Sequence, residues 1–212
     1  MKQEPLPGHD PDCRPSKGRD MDVATWTKGI QRGHTKAVCR QVTPQQLAVG
    51  VPDGVAIKVH GSNLKLEEAR KLGVPYVQVA MDVKNAHNAY DRRAAQQILE
   101  GLESEHPDEP AFRDLSRAHH SDCAHSSDVY VRDHQGHRGL KWLCEGRAGG
   151  PQGSALTCVT FPMLLDVVLK GVEAKFPDVE AKAIQDDIDL YGDPADILGD
   201  NGALQFILLE LK

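Results

Sequence analysis

Three aspartates are the residues of this sequence best suited to hold divalent metal ions. Asp82 follows the apolar alternation that runs from Tyr76 to Met81, and Asp186 and Asp187 are adjacent between two short apolar runs. Mg²⁺ prefers a few carboxylate oxygens completed by water and phosphate oxygens, so three aspartates form a sufficient protein ligand set. Two such ions about 4 Å apart support nucleotidyl transfer, because one activates the attacking hydroxyl and the other neutralises the leaving phosphate. The aspartates therefore predict two-metal chemistry if the fold brings them together.

Each of these motifs also has a purely structural interpretation. An Asp-Asp pair in a turn is more often a solvated surface feature than a metal site. The segment 149–154, Gly-Gly-Pro-Gln-Gly-Ser, suits a flexible entry into a helix with proline near its first turn. Asn85 and Asn88 are equally ordinary turn residues. Taken singly, each motif favours the structural interpretation.

The elements that must position the aspartates can be predicted from periodicity. Residues 76–81 alternate as a half-buried strand, which puts Asp82 at its carboxyl end. Asp91 is a predicted helix N-cap. The acidic pair is expected in the turn between two short strands. The remaining predicted elements are a helix over 112–117, a hairpin of 129–131 and 140–143, a helix over 155–175 kinked at Pro162, strands over 179–184 and 188–191, and a helix over 203–211.

The N-terminal part gives weaker signals. Residues 1–22 are rich in Pro, Gly and charged residues, which predicts a disordered tail. Residues 23–59 have no periodicity that assigns an element type, so an irregular small subdomain is expected there. Leu64 to Leu72 predicts a short helix, ended by Gly73.

At these residues the sequence resembles a known family. Residues 81–88, Met-Asp-Val-Lys-Asn-Ala-His-Asn, are similar to the first palm motif of non-LTR retrotransposon reverse transcriptases. Residues 150–156, Gly-Pro-Gln-Gly-Ser-Ala-Leu, resemble the Pro-Gln-Gly-Ser-x-Leu motif of that family. Residues 183–188 stand where the Tyr/Phe-x-Asp-Asp motif belongs, and 46–51 resemble the preceding fingers segment. The order and spacing agree, and the likeness spans roughly Val23 to Tyr191.

The resemblance implies roles for six residues. Asp82, Asp186 and Asp187 would be the catalytic ligands of two Mg²⁺ ions, or of Mn²⁺ in their place. Gln152 and Gly153 would line the pocket for the nucleotide and the template strand. His87 replaces the aromatic residue that screens the sugar 2′-hydroxyl in the family, and Ile184 replaces the aromatic residue before the acidic pair. The implied partners are an RNA template, a DNA primer and deoxynucleoside triphosphates.

The expected fold class is α+β, with a palm-like antiparallel sheet backed by helices and a small fingers subdomain. The domain hypothesis assigns residues 1–22 to the tail, 23–75 to partial fingers and 76–212 to a palm. The 212 residues leave no room for a thumb after Asp187, so a thumb is expected from another segment. Weak primer binding by the chain alone is expected for the same reason.

Charge and composition test these hypotheses. The formal net charge is −6, which is the wrong sign for holding a polyanion, although residues 1–46 carry eight Lys/Arg against five Asp/Glu. Metal ions bound by the aspartates would cancel part of the negative field. The apolar runs are too short to span a membrane, and the start of the sequence lacks a signal peptide. The five cysteines are odd in number and irregularly spaced, which indicates reduced thiols and an intracellular location.

Two alternative functions stay open. The chain could be a catalytically inactive retroelement remnant that at most binds nucleic acid, or an RNA-templated RNA polymerase palm, which the sequence strings do not suggest. The cluster His119, His120, Cys123 and His125 is expected to be a polar loop, because it lacks the second ligand pair of a typical zinc site. A calcium loop starting at Asp187 is rejected, because the position of the bidentate glutamate is occupied by leucine.

Overall fold

A computed structural model describes residues 21–123, 127–132, 140–146, 148–150 and 154–211 of the chain. The helices are α1 (Met21–Val42), α2 (Gly54–Leu72), α3 (Ala86–Ala89), α4 (Arg92–Glu105), α5 (Pro110–Cys123), α6 (Thr157–Lys175), α7 (Pro194–Leu198) and α8 (Ala203–Glu210). The strands are β1 (Val77–Asp82), β2 (Ser127–Arg132), β3 (Leu140–Gly146), β4 (Glu180–Ile184) and β5 (Asp187–Gly192). The α+β class predicted from the sequence is confirmed.

The three strands that carry the aspartates form one antiparallel sheet in the order β1-β5-β4. Strands β2 and β3 form a separate antiparallel hairpin, as predicted. The free edge of β4 is met by the chain before α2, where the amide of Leu47 donates to the carbonyl of Ala183 at 2.8 Å. The chain before α2 therefore extends the edge of the sheet at the end where the acidic turn lies.

Two hydrophobic clusters stabilise these layers. The first joins the apolar face of the sheet, including Ile188 and Leu190, to α6, α7 and α8. The second joins α1, α4, α5 and the first half of α6 around Leu99, Leu115 and Val38. This second cluster therefore contains residues from both sides of the predicted boundary between residues 75 and 76. The division into fingers and palm stays a prediction.

The expectation of an irregular segment over 23–59 is wrong. Helix α1 runs for 22 residues from Met21, and α2 begins at Gly54, ten residues before the predicted start. The buried stripe of α1 includes Thr27 and Ala37, so its apolar periodicity is weak. In α2 the apolar residues are mostly exposed, Val55 and Leu64 among them, so no regular apolar stripe marks the helix.

Several local predictions are confirmed by geometry. The Asp91 carboxylate accepts hydrogen bonds from the amides of Arg93 at 2.7 Å and Ala94 at 3.3 Å, as an N-cap does. Gly73 ends α2 with a left-handed φ of 66°. Pro162 lies inside α6, where it is buried, and the kink expected there stays a prediction.

In the described ranges, no helix is both long and apolar enough to cross a membrane.

Candidate active site

The sheet register brings the three predicted aspartates together. Asp82 at the end of β1 and Asp187 at the start of β5 are direct partners across the antiparallel pair. The α-carbons of such partners are about 4.5–5.5 Å apart. The amide of Val83 donates to the carbonyl of Asp186 at 3.1 Å, which fixes the residue after Asp82 against the acidic turn. Residues more than 100 positions apart in sequence thus share one end of the sheet.

The three aspartate side chains differ in how exposed they are, and in the described ranges none of them is paired with a cationic side chain. Asp82 and Asp187 are exposed and Asp186 is half-buried. Across the described ranges, no Lys, Arg or His side chain forms an ion pair with any of the three. Nor do three acidic, histidine or cysteine side chains anywhere in those ranges converge closely enough to hold a metal ion. The main chain therefore groups the aspartates, and rotation about their side-chain torsions would be needed to converge them.

The turn that contains the acidic pair is held in a strained conformation by hydrogen bonds between the main chain of Gln185 and the side-chain amide of Gln46. Gln185 has a φ of 57°, a left-handed conformation that is uncommon outside glycine. Its amide donates to Gln46 Oε1 at 2.9 Å, and Gln46 Nε2 donates back to the carbonyl of Gln185 at 3.1 Å. Gln46 is fully buried. This reciprocal pair satisfies the turn's main-chain groups and keeps it in one shape.

His87 lies beside the turn. Its Nε2 is 3.2 Å from Gln185 Oε1, and its ring lies 5.4 Å from the ring of Phe161, tilted by 57°. The half-buried imidazole belongs to the short helix α3, which begins after Asn85 at a left-handed φ of 58°. The structure thus brings one residue of the predicted nucleotide pocket into contact with the acidic turn.

The glycine pair before the Pro-Gln-Gly segment packs against the same helix. The amide of Gly149 donates to the carbonyl of Tyr90 at 2.8 Å, and that of Gly150 donates to the carbonyl of His87 at 2.7 Å. A β-carbon on Gly149 would lie 2.2 Å from the main-chain carbon of Asn88, so only glycine fits. Arg92 Nε donates to the Gly149 carbonyl at 2.6 Å. A β-carbon on Gly150 would lie 2.0 Å from Thr157 Oγ1, so this position also favours glycine.

Two other predicted pocket residues, Gln152 and Gly153, lie outside the described residues. The described chain reaches Gly150 on one side and resumes at Ser154 on the other. The hydrogen bond between Gly150 and His87 therefore anchors the start of the segment that contains them.

Helix α2 covers the polar face of the sheet one pleat away from the aspartates. Lys58 Nζ lies 2.8 Å from Asp189 Oδ2 and donates to the carbonyl of Asp187 at 3.2 Å. Tyr191 donates its hydroxyl to the same Asp189 oxygen at 3.1 Å, and Ser62 Oγ lies 2.7 Å from that hydroxyl. Burial raises the pKa of Tyr191 to about 12, and the neighbouring Asp189 carboxylate adds to the rise. Asp189 is thus engaged in a buried polar cluster.

The cluster at His119 is helical, so the expectation of a polar loop is wrong for the described part. His119 and His120 lie within α5, which ends at Cys123, and His125 is outside the described residues. The ring of His119 is buried, and its Nδ1 lies 2.9 Å from Gln96 Oε1. Burial lowers the pKa of His119 to about 4, which favours a neutral ring packed between α4 and α5.

Sequence reasoning missed four residues that support the site: Gln46, Lys58, Arg92 and Gln185. The adjacent glutamines Gln45 and Gln46 precede an apolar run, and a polar side chain at such a place can satisfy buried main-chain groups. Gln185 lies between an apolar strand and two acids, at the variable position of the Tyr/Phe-x-Asp-Asp pattern, so the pattern gives it no role. Nothing in the sequence marks Lys58, because its partners are 129 and more residues away.

Comparisons with known proteins bear on the fold. The sequence matches no family profile and no curated protein. Among solved structures, the chain is similar to apo telomerase from Candida tropicalis truncated from the C-terminal domain, with a TM-score of 0.55 and 11% identity. It is also similar to the apo telomerase of that organism, with a TM-score of 0.53 and 11% identity.

The similarity covers most of this chain but only part of each telomerase chain. The matches cover 89% and 88% of this chain but only 36% and 33% of the telomerase chains, so this chain spans about a third of their length. At 11% identity the likeness concerns the fold alone. The chain therefore shares the fold of the matched part of these telomerase chains.

Proposed function

We propose that this chain contains the palm of an RNA-directed DNA polymerase of non-LTR retrotransposon type, with Asp82, Asp186 and Asp187 as its catalytic residues. The observation that carries the proposal is the register of β1 against β5, which pairs Asp82 with Asp187 at one end of the sheet. The reverse-transcriptase-like fold supports it independently. RNA template, DNA primer and deoxynucleoside triphosphates are the proposed partners.

The donor set suits Mg²⁺. Three carboxylates without cationic partners in the described ranges supply hard, negatively charged oxygen ligands, which Mg²⁺ prefers to nitrogen or sulfur. When bound, two such ions would activate the primer 3′-hydroxyl and stabilise the charge that develops on the transferred phosphate. The protein's own contribution is to hold the three carboxylates at one sheet end.

The surrounding residues would orient the substrate. His87 borders the acidic turn through Gln185, so a nucleotide whose phosphates lie at the aspartates would have its sugar near the imidazole. The turn is fixed on its other side by Gln46. Fixed geometry matters because reacting groups held in line avoid much of the entropic cost of meeting.

Primer extension by the full chain tests this function. A radiolabelled DNA primer on an RNA template with Mg²⁺ and dNTPs should gain at least one nucleotide, and Asp187→Asn should reduce the rate at least about 100-fold, since it removes a ligand charge. Asp178→Asn is the matched control, because Asp178 is an exposed aspartate just before β4, at the opposite end of the same hairpin. Its rate should equal that of the wild type.

The inactive remnant makes a different prediction in the same assay. A chain that binds the primer-template in a gel shift but adds no nucleotide, in Mg²⁺ or Mn²⁺, would contradict the polymerase proposal and favour the remnant. Extension that proceeds equally well in Asp187→Asn would place the activity elsewhere.

A further inference from the structure

The outward face of α1 differs in charge from the rest of the chain. Lys28, Arg32, Lys36 and Arg40 are all exposed and recur at every fourth residue, so they form one basic ridge along the helix. With a rise of about 1.5 Å per residue, neighbouring cations of this ridge are separated by about 6 Å along the helix. Residues 25–42 include no acidic residue, although the whole chain has a net charge of −6. Positive charge is therefore segregated onto this face.

Most of the basic ridge has no counter-charge. Arg40 pairs with Glu109 at 2.6 Å. Within the described ranges, the side chains of Lys28, Arg32 and Lys36 form no ion pair and no hydrogen bond. Like charges four residues apart on a helix repel each other, so the ridge lowers the stability of α1. An anionic partner would supply the missing negative charge.

The surface beside the ridge is open. Gly29 and Gly33 lie on it, and a β-carbon on either glycine would meet no atom within 4 Å. Glycine inside a helix is less stable than alanine, and no packing in the described ranges requires it here. Two glycines do leave room for another chain to approach the helix backbone closely. Trp26, one turn before Gly29, is 49% exposed, which leaves an aromatic ring accessible on the same face.

This face is separate from the candidate active site. The opposite side of α1, which includes Val38 and Val42, packs with α4, α5 and α6 in the second hydrophobic cluster. Helix α6 also packs on the apolar face of the sheet, whereas α2 covers the polar face near the aspartates. Helix α1 therefore belongs to the helical layer that contains α6, and a ligand on its outward face does not require the three aspartates.

We propose that the outward face of α1 binds an unpaired strand of nucleic acid, with Lys28, Arg32 and Lys36 at its phosphates and Trp26 stacked on one of its bases. A row of cations suits a polyanion, because each neutralised phosphate releases condensed counterions. The bases of a duplex are already stacked on one another, so an exposed aromatic ring favours a single strand. This surface is a second nucleic-acid contact, beyond the proposed polymerase site and independent of it.

Fluorescence anisotropy of the full chain with a labelled RNA tests the ridge. The RNA is an unstructured strand of about 20 nucleotides, and EDTA removes divalent ions. The combined variant Lys28→Gln, Arg32→Gln and Lys36→Gln should lower the affinity at least about tenfold at about 50 mM salt. The slope of log affinity against log salt should become shallower by about 2, because three phosphate contacts are lost.

A matched control removes three exposed cations from other elements. The combined variant Arg70→Gln, Lys71→Gln and Lys175→Gln changes the net charge by the same amount, so it should bind within about threefold of the wild type and keep its salt slope. Thermal melts of the ridge variant should show no loss of stability, because the substitutions remove like-charge repulsion on an exposed face. Equal losses of affinity in the two variants would overturn the proposal.

Trp26→Ala tests the preference for an unpaired strand. Its affinity for the single strand should fall at least about fivefold, as expected for one lost stacking contact, while its affinity for a duplex of the same length stays unchanged. Trp142→Ala is the matched control, because Trp142 of β3 is 55% exposed, and this variant should bind as the wild type does. A wild-type chain that binds the duplex as tightly as the single strand, or an equal effect of the two tryptophan variants, would overturn the proposal.

The remaining measurements separate this surface from the proposed function. An RNA and a DNA strand of the same sequence should bind within about threefold of each other, because cations and ring contact phosphate and base rather than the 2′-hydroxyl. The combined Asp82→Asn, Asp186→Asn and Asp187→Asn variant should bind the strand at least as tightly as the wild type, since it loses only negative charge. Loss of binding in this variant would place the strand at the aspartates and overturn the proposal. Salt-dependent binding through α1 without any primer extension would end the polymerase proposal alone.

Discussion

Asp187 and Asp189 lie on the same face of β5, two residues apart, yet their surroundings are opposite. Asp187 is exposed at the strand start, opposite Asp82. Asp189 is only 6% exposed, and its carboxylate contacts Lys58 and Tyr191. The difference is where α2 crosses the sheet. Lys58 of that helix reaches the carboxylate of Asp189, and Ser62 reaches the hydroxyl of Tyr191, whereas neither side chain pairs with the carboxylate of Asp187.

Two residues of the same type on one strand thus differ in whether their charge is neutralised by the protein. A buried carboxylate is costly unless it is paired and hydrogen-bonded, so Asp189 has both a cation and a hydroxyl. The acids at the strand end have no such neutralising side chain in the described ranges, which leaves their oxygens open to an external cation. Lys58 of α2 thus neutralises the charge of Asp189, whereas the aspartates at the end of the sheet keep their negative charge.

The largest expected effect is that of Lys58→Met, which removes the cation that pairs with Asp189. Removing the cation leaves Asp189 buried with an uncompensated charge, which should lower the free energy of unfolding by about 3–5 kcal/mol. Urea denaturation measures this. The matched control is Lys65→Met, because Lys65 pairs with Glu180 where both side chains are about a third exposed. That variant should lose less than about 1 kcal/mol.

A double variant separates the buried charge from the lost packing. Lys58→Met combined with Asp189→Leu removes both charges and should recover most of the lost stability. Equal losses in the two lysine variants, or no recovery in the double variant, would mean that Asp189 is effectively solvated and that the two acids do not differ as described.

The second effect, smaller in size, is an alkaline transition at Tyr191. Its pKa of about 12 in the folded chain is above the ordinary value of about 10, so folding favours the protonated phenol. The resulting stabilisation is fully present below about pH 10 and is lost as the pH rises to about 12, a fall of roughly 2–3 kcal/mol. Chemical denaturation at several pH values measures it.

Tyr191→Phe isolates this contribution. The variant loses the hydrogen bond to Asp189 but has no phenol to ionise, so its stability should change less between pH 10 and pH 12 than that of the wild type. Parallel curves for the two proteins would contradict the assigned pKa and show that the cluster under α2 is open to water.

The smallest expected effect concerns the exposed acids. If Mg²⁺ binds at Asp82, Asp186 and Asp187 with a dissociation constant of about 1 mM, 10 mM Mg²⁺ should stabilise the fold by about 1.4 kcal/mol. The melting temperature would then rise by about 3 °C. Thermal melts with and without Mg²⁺ measure this rise, and the combined Asp186→Asn and Asp187→Asn variant should abolish it.

A variant without the buried charges of Lys58 and Asp189 is the control for the effect of Mg²⁺ on the melting temperature. Lys58→Met with Asp189→Leu leaves the three edge acids intact, so its melting temperature should rise with Mg²⁺ as in the wild type. An equal rise in the variant that lacks both edge charges would assign the effect to nonspecific ion binding.

Part of the candidate site could be predicted from local sequence. The alternation of residues 77–81 ends abruptly at Asp82, which locates that acid at a strand end. The short apolar runs on either side of the acidic pair predict a hairpin, and Asp91 and Gly73 mark helix ends with their own side chain or backbone preference. These features depend on neighbours a few residues away, which a single sequence displays.

The helices of the N-terminal part could not be predicted in the same way. Helix α1 buries small and polar side chains, Thr27 and Ala37, and α2 exposes apolar ones, so neither shows the periodicity of a surface helix. Their packing partners decide their stability, and those partners lie elsewhere in the chain. The second hydrophobic cluster joins α1 to α4, α5 and α6.

The acids at strand ends, the turn between β4 and β5, and the motifs that resemble a reverse transcriptase can all be recognised in the amino-acid sequence. The register that pairs Asp82 with Asp187, and the hydrogen bond of Gln46 to a turn 139 residues away, are instead set by the tertiary structure. It also decided that Lys58 neutralises Asp189 and leaves the Asp187 carboxylate exposed. The physical reason is range: strand ends and caps follow from local geometry, whereas pairing and charge neutralisation depend on which distant surfaces pack together.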